Sequence, residues 1–398
     1  MPGGLSTATP TSDRTGEHAA RVRAFARREL LPRWEQLDAF GDLPLDLHER
    51  FHAEGLGNWW LPERYGGIGL GLEESVDVVS ELAYGDAGFA FTSFISILGT
   101  TMLSLYGGEA VRDRHLASMV RDGACCATLA SERAAGSELT KIVTTAARSG
   151  GDVVLNGEKL FATNADQASF LIVVARSASS AEEHLAVVVP RDAPGVRIVK
   201  RWEMAGLRAS GTYQVSFERC RVPADGVIEG PALRILEAML NASRILIASS
   251  ALGIARRVRD LCLEYGRRKR VADRPLVANA VFAAKLGQME MDVDAMRHVC
   301  LGAAREFDAT VRRDDGAERL LRAGTLKSAL TAKTFCGRTG WEVASVGSEM
   351  FGGLGYTREL PIEKLLRDVR NVAIVEGGQD VLRDLVFNRY VLPEDQRI

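Results

Sequence analysis

The 398-residue chain has no CxxC cysteine pair, no excess of either charge and none of the common nucleotide-binding motifs, and each absence narrows what it can be. The six cysteines (Cys125, Cys126, Cys220, Cys262, Cys300 and Cys336) are scattered. That excludes a zinc or disulfide framework and reads as small buried apolar residues in a reducing compartment. Lys and Arg number 50 against 52 Asp and Glu, a formal charge of −2. No nucleic-acid partner is expected, since such binders carry a basic excess. No apolar run approaches the ~20 residues of a membrane helix, so no membrane association is expected. Residues 1–17 are rich in Gly, Ser, Thr and Pro and lack the apolar segment of a signal peptide. They read as a disordered leader on a cytoplasmic protein. No GxGxxG follows a strand, and GxxxxGK[ST], HExxH and GxSxG are missing, so neither a Rossmann nor a P-loop grip on a nucleotide is expected. His48 and His52 stand four apart without a third ligand and read as a solvated helix face; no metal is expected.

What is present falls into three blocks, an α+β order of helices, strands and helices. Over 18–124, Arg21–Leu31 and Gly71–Ala83 carry apolar residues at three- and four-residue spacing, broken by Pro44, Pro62 and the glycines around Ile68. Over 125–229 the period shortens. Apolar runs at Phe170–Val174 and Leu185–Val189, and the alternation of Tyr213, Val215 and Phe217, predict a mostly antiparallel β domain. Asn156-Gly157 between two apolar triplets predicts a hairpin turn there. Over 230–398 helices return. Ala232–Tyr265 reads as one helix roughly 50 Å long, which needs partners along its whole apolar stripe. A C-terminal four-helix bundle and homo-oligomerisation, as a dimer or tetramer, are expected.

Three places can carry chemistry. Glu376 follows Val372-Ala373-Ile374-Val375 and precedes Gly377-Gly378. A carboxylate at the edge of apolar packing loses hydration and becomes a stronger base, while adjacent glycines admit another molecule close to the backbone. The alternative is a turn carboxylate without a task. Ala134-Ala135-Gly136-Ser137 can offer backbone amides to an anion or cofactor, or be only a loop. Arg267-Arg268-Lys269-Arg270 suits phosphates, or is a solvated helix face.

In order and spacing, these segments resemble the acyl-CoA dehydrogenase family over nearly the whole chain. Pro62–Gly69 resembles P-x-x-Y-G-G-x-G, Ala130–Glu138 resembles L-T-E-P-x-A-G-S-D, and Asn156–Asn164 resembles N-G-x-K-x-W-I-T-N. Phe217–Pro223 is similar to the strand that closes the family's β domain. Phe351–Tyr356, Leu366-Arg367-Asp368 and Ile374–Gly377 resemble G-G-x-G-Y, L-R-D and I-Y-E-G. The resemblance implies FAD, with its ring between the β domain and the C-terminal bundle. On the ring side it implies Leu129, Ser131, Gly136, Ser137, Phe161, Ala162 and Thr163, with Ser131 at the pyrimidine edge, Thr163 at N5 and Phe161 packed on the ring. At the ADP end it implies Lys269, Arg270, Glu349, Gly352, Gly353, Gly378, Gln379 and Asp380, some of them serving a neighbouring subunit. Ser137, Asn241, Arg244, Val375 and Gly377 fall on substrate positions, and Glu376 on the base. Some relatives take the base from the residue before Arg244; here that residue is Ser243, which cannot serve.

The implied activity is α,β-dehydrogenation of an acyl-CoA or acyl-carrier-protein thioester, with the proton going to Glu376, hydride to flavin N5 and electrons on to an electron-transfer flavoprotein. Two alternatives stand beside it: an oxygen-using flavin oxidase or monooxygenase, and a non-catalytic oligomeric binding protein. Departures gather at the ADP end. Lys269 stands for an arginine, Ala272 for a phenylalanine, Asp273 for a glycine, Ala280 for a glutamine, Glu349 for a glutamine and Gly378 for a threonine, so altered FAD binding is expected. Asn241 for an aspartate and Val375 for a tyrosine imply a substrate unlike a plain straight-chain acyl-CoA.

Overall fold

The computed structural model describes residues 12–396. Helices α1 (Ser12–Phe25), α2 (Trp34–Asp38), α3 (Leu45–Ala53), α4 (Leu72–Gly85), α5 (Ala87–Phe94), α6 (Ile97–Tyr106) and α7 (Glu109–Asp122) form the first layer. Strands β1 (Cys125–Leu129), β2 (Thr145–Ser149), β3 (Asp152–Thr163), β4 (Ala168–Ser177), β5 (His184–Pro190), β6 (Val196–Arg201), β7 (Thr212–Pro223) and β8 (Val227–Ile228) form one sheet. Helices α8 (Ala232–Arg268), α9 (Ala280–Val311), α10 (Gly316–Ala323), α11 (Lys327–Met350), α12 (Ile362–Arg370) and α13 (Gln379–Val386) follow, with a two-stranded hairpin, β9 (Arg270–Val271) and β10 (Arg274–Pro275), after α8.

The sheet runs β6-β7-β3-β2-β4-β5-β8, with β1 beside β4; only β1–β4 and β2–β4 are parallel pairs. Strand β4 is apolar at every step from Phe170 to Ala175 because both its faces are covered there. Phe170, Ile172 and Val174 join the core shared with the helices, and Leu171, Val173 and Ala175 join the core inside the β domain. A strand buried on two faces loses the polar alternation of a half-exposed one.

Helix α8, at 37 residues, is the spine of the C-terminal layer, and α9, α11, α12 and the N-terminal α4 pack on it. Small residues permit that approach. A Cβ on Gly253 would lie 2.3 Å from the Ser80 carbonyl oxygen, so α8 and α4 touch backbone to backbone there. Asp308 of α9 accepts hydrogen bonds from the N–H groups of Leu72 and Glu73 (2.9 and 3.0 Å), capping α4 across the domain boundary.

Four expectations are corrected. Residues 1–11 of the expected leader lie outside the described residues, and the rest of it, from Ser12, opens α1, which buries His18, Val22 and Phe25 further along. Asn156-Gly157 does not reverse the chain. Strand β3 runs through it with a bulge, Gly157 has φ 143°, and a Cβ there would meet Thr144 Oγ1 at 2.5 Å. The turn between β2 and β3 is made by Gly150-Gly151, flanked by the paired Ser149 and Asp152. Ala87–Tyr106 and Ala232–Arg268 are long and apolar enough to cross a membrane, but 72% and 100% of their most apolar windows is buried in this fold. His48 is no solvated residue: it stacks on Phe89 with centroids 4.2 Å apart, and burial pushes its pKa down to about 4.

Candidate active site

Glu376 sits in the turn before α13, with φ +52°, and Gly377 follows at φ +101°. The left-handed region costs a residue with a Cβ about 1–2 kcal/mol, so the surroundings must hold Glu376 there. Two buried cations do so. Arg244 on α8 donates from Nε and Nη2 to the Glu376 carbonyl oxygen (3.1 and 3.0 Å), and Lys333 on α11 donates from Nζ to the Gly377 carbonyl oxygen (2.7 Å). The carboxylate is engaged separately: Ser243 Oγ donates to Glu376 Oε2 at 2.6 Å. Burial pushes the Glu376 carboxyl above its ordinary value, opposed by the Ser243 hydrogen bond and by the charges of Arg244 and Lys333.

Sequence reasoning located Glu376 and Arg244 but gave Ser243 only a negative role and passed over Lys333. The available signal was a lysine on the apolar stripe Ala329, Lys333, Cys336 and Gly340 of α11, all of them buried. Asn241 is wholly buried, its Nδ2 donates to the carbonyls of Ala238 and Gly324 (2.8 and 2.7 Å), and its Oδ1 accepts from Leu326 N–H at 2.8 Å. Its polar groups are used in fixing the 324–326 loop, which gives the amide a structural task at a position where the resemblance implied a substrate contact. Val375 is half-buried beside the base.

The β domain carries the other group of expected residues. The Ser131 carbonyl accepts from Leu160 N–H at 2.9 Å, which joins the 130–137 loop to β3. A buried pair stiffens that loop: Lys159 Nζ lies 2.7 Å from Glu132 Oε1, and Glu132 also accepts from Val143 and Thr144 N–H (2.7 and 3.1 Å). Desolvation pushes Lys159 down to about 8 despite that partner. A second irregularity in β3 puts Phe161 at φ +55° and turns its ring outward, 56% exposed and 5.1 Å from Trp202. Thr163 Oγ1 lies 3.2 Å from Thr212 Oγ1, and nearby Ser210 Oγ is buried without a partner. Gly136 and Ser137 are exposed, and a Cβ on Gly136 would meet nothing within 4 Å. The side chains of Leu129 and Ala162 point into the β core, so each can offer a cofactor only its backbone. An open aromatic face, flanking hydroxyls and uncrowded glycine backbone fit a flat hydrogen-bonding ring such as a flavin.

Of the residues expected at the ADP end, Lys269 and Glu349 lie far along their helices from Ser243 and Lys333. Lys269 lies about 39 Å from Ser243 along α8, and Glu349 about 24 Å from Lys333 along α11, by helix rise. Lys269 and Arg270 are exposed, and Arg270 binds the Asp273 carbonyl across a turn in which Ala272 and Asp273 both have positive φ. Glu349 pairs with Lys285 at 3.3 Å, and Gly352 and Gly353 have open space where a Cβ would stand. Gly378, Gln379 and Asp380 begin α13 beside the base; Arg383 is tied to Gln379 and Asp380, while Gly378 is uncrowded. Among the described residues no cluster suited to a metal occurs.

A half-buried carboxylate of raised proton affinity and, in the β domain, a surface fit for a flat cofactor are features suited to an oxidoreductase that breaks C–H bonds. Family models for the acyl-CoA dehydrogenase N-terminal, middle and C-terminal domains match residues 12–122, 127–220 and 233–391. The chain belongs to the acyl-CoA dehydrogenase family, an enzyme family whose chemistry is flavin-dependent dehydrogenation of acyl thioesters. It is 30% identical over 376 residues to "Acyl-CoA dehydrogenase" of Bacillus subtilis (strain 168), covering 93% of this chain and 96% of that protein. The butyryl-CoA dehydrogenase structure from Megasphaera elsdenii superposes with a TM-score of 0.87 at 25% identity, over 98% of this chain and 100% of that one. A glutaryl-CoA dehydrogenase from Mycobacterium smegmatis in complex with FADH2 gives a TM-score of 0.81 at 25% identity, over 94% of each chain.

Proposed function

We propose that this chain is a FAD-dependent dehydrogenase that removes the α proton and β hydride of an acyl-CoA or acyl-carrier-protein thioester, with Glu376 as the base. The observation that carries the reading is the Glu376 turn itself: a carboxylate of raised proton affinity whose backbone is clamped by Arg244 and Lys333.

The α proton of a thioester is weakly acidic, so its removal needs a strong, well-placed base and a partner for the developing enolate oxygen. Burial strengthens Glu376 as a base, and Ser243 fixes the direction of its carboxylate. The Glu376 N–H has no backbone acceptor among the described residues and is free to donate to a carbonyl oxygen. Ser131, Phe161 and Thr163 would hold the ring of FAD, and Ser137 the thioester arm. FAD, when bound, supplies the acceptor for the hydride. The distance between Lys269 or Glu349 and the Glu376 turn supports an oligomer in which one subunit's α8 and α11 ends serve a neighbour's cofactor. Electrons then pass to an electron-transfer flavoprotein.

The test is anaerobic mixing of the purified holoprotein with straight-chain, branched and polar acyl-CoA thioesters and their carrier-protein counterparts. Bleaching of the flavin, with product lighter by two hydrogens and reoxidation by an electron-transfer flavoprotein, is the expected outcome. Protein that binds no flavin, or flavin that no thioester bleaches, would overturn the reading.

A further inference from the structure

Among the described residues three lysines have side chains buried almost completely: Lys159, Lys333 and Lys364. Two of them are neutralised. Lys159 pairs with Glu132 at 2.7 Å, and Lys364 pairs with Asp86 and Asp368 at 2.8 and 2.5 Å. Lys333, 1% exposed, forms no ion pair within bonding distance, and its Nζ is spent on the Gly377 carbonyl oxygen at 2.7 Å. An ammonium taken out of water without a carboxylate beside it is among the costlier things a fold can bury. Its location is specific: the carbonyl it holds is one residue past Glu376, and the carbonyl of Glu376 itself is held by Arg244, also buried and without an ion pair among the described residues.

The charged groups around it come from three elements. Arg244 acts on Lys333 from α8 and Glu376 from the turn, while Glu237 on α8 and Arg389 near the C-terminus act on Arg244 from further out. Glu237 is paired with both Arg389 and Arg234, so its charge is already matched before it reaches Arg244. What remains is two cations around one carboxylate.

We propose that Lys333 is a positioning residue for Glu376: it completes, with Arg244, a two-cation clamp on successive carbonyls that holds the base in its left-handed backbone and favours its ionised form. The inference rests on Glu376 being the base. Desolvation, then the charge of Arg244, pushes Lys333 down to about 7, and Glu376 opposes that shift. Below about 7 the ammonium is charged, and there it favours the ionised form of Glu376. Removing the charge leaves the carboxylate with Arg244 alone and raises the pH at which it ionises.

The test reads Glu376 directly in FAD-loaded protein. The carboxyl C=O infrared band present in wild type and absent in Glu376→Gln reports its titration. Lys333→Met should move that midpoint up by about one pH unit, the low end of the shift that a nearby opposite charge produces. The acidic limb of flavin reduction by butyryl-, octanoyl-, isovaleryl- or succinyl-CoA should move with it. Lys333→Gln, which keeps a donor for the Gly377 carbonyl and loses only the charge, should show the same shift if Lys333→Met does not fold, and Lys333→Arg should restore the wild-type midpoint. A purely structural lysine would lower thermal stability and leave midpoint and limb in place, and that result overturns the proposal. If Glu376→Gln reduces flavin at the wild-type rate, the base assignment and the clamp's purpose fall together. If Glu376→Gln is inactive and the Lys333 variants keep the wild-type midpoint, only the clamp falls.

Discussion

Two buried charge clusters, one at the domain junction and one at the Glu376 turn, use similar residues in opposite ways. At the junction Lys364 lies between Asp86 and Asp368; Asp86 caps α5 through Phe89 N–H at 2.8 Å, and Asp368 accepts from Leu207 N–H of the β domain at 2.7 Å. Arg367 next to it reaches the Ala205 carbonyl at 2.7 Å and the Asp38 carboxylate at 2.6 Å. Every charge there has an opposite, and the result is a clasp between the first helical layer, the sheet and α12. At the Glu376 turn two cations are spent on backbone carbonyls and one carboxylate is held by a serine hydroxyl. Balanced charge serves the fold. At the Glu376 turn the buried cations outnumber the carboxylate.

The largest effect that would sharpen this contrast is at the junction. Asp368→Ala leaves Lys364 with one partner and Leu207 N–H with none, and should lower unfolding free energy by about 3–5 kcal/mol in denaturant titration. A loss under about 1 kcal/mol would show that the clasp is ornamental. Next comes Asn241→Ala, which strands the Gly324 carbonyl and Leu326 N–H. It should cost about 2 kcal/mol of stability while turnover per folded flavin stays close to wild type. A changed KM with stability intact would return Asn241 to the substrate. The smallest expected effect is Ser243→Ala. Its hydrogen bond favours ionised Glu376, so losing it raises the pKa of the base and moves the acidic limb of the pH–rate profile upward, by less than about one unit. A limb that moves downward would contradict the assigned donor and acceptor.

Much of this was readable from residues alone, for stated reasons. Val372–Val375 followed by Glu376-Gly377 marks a desolvated carboxylate on permissive backbone, and the long stripe from Ala232 marks the spine helix. Asn156-Gly157 misled because that pair signals positive φ, not chain reversal, and a bulge satisfies it as well as a turn does. The structural task of Asn241 was not legible because a buried amide at a substrate position in relatives here meets a loop 83 residues away, which local pattern cannot reveal. Lys333 was passed over because a lysine in an apolar stripe acquires meaning only once α8 and the Glu376 turn are seen around it. The junction was half-legible: Leu366-Arg367-Asp368 was noticed as a motif, but its role as a clasp appears only when Asp38, Asp86 and Leu207 arrive from three distant segments.

Single-turnover reduction of the flavin tests the role of Glu376 directly. Wild-type holoprotein and Glu376→Gln, each loaded with FAD, are mixed anaerobically with the same acyl thioester and followed by flavin absorbance. The account predicts rapid bleaching in wild type and a rate lower by about 10³-fold or more in the variant, within the range general-base removal produces. Bleaching of Glu376→Gln at the wild-type rate would contradict it.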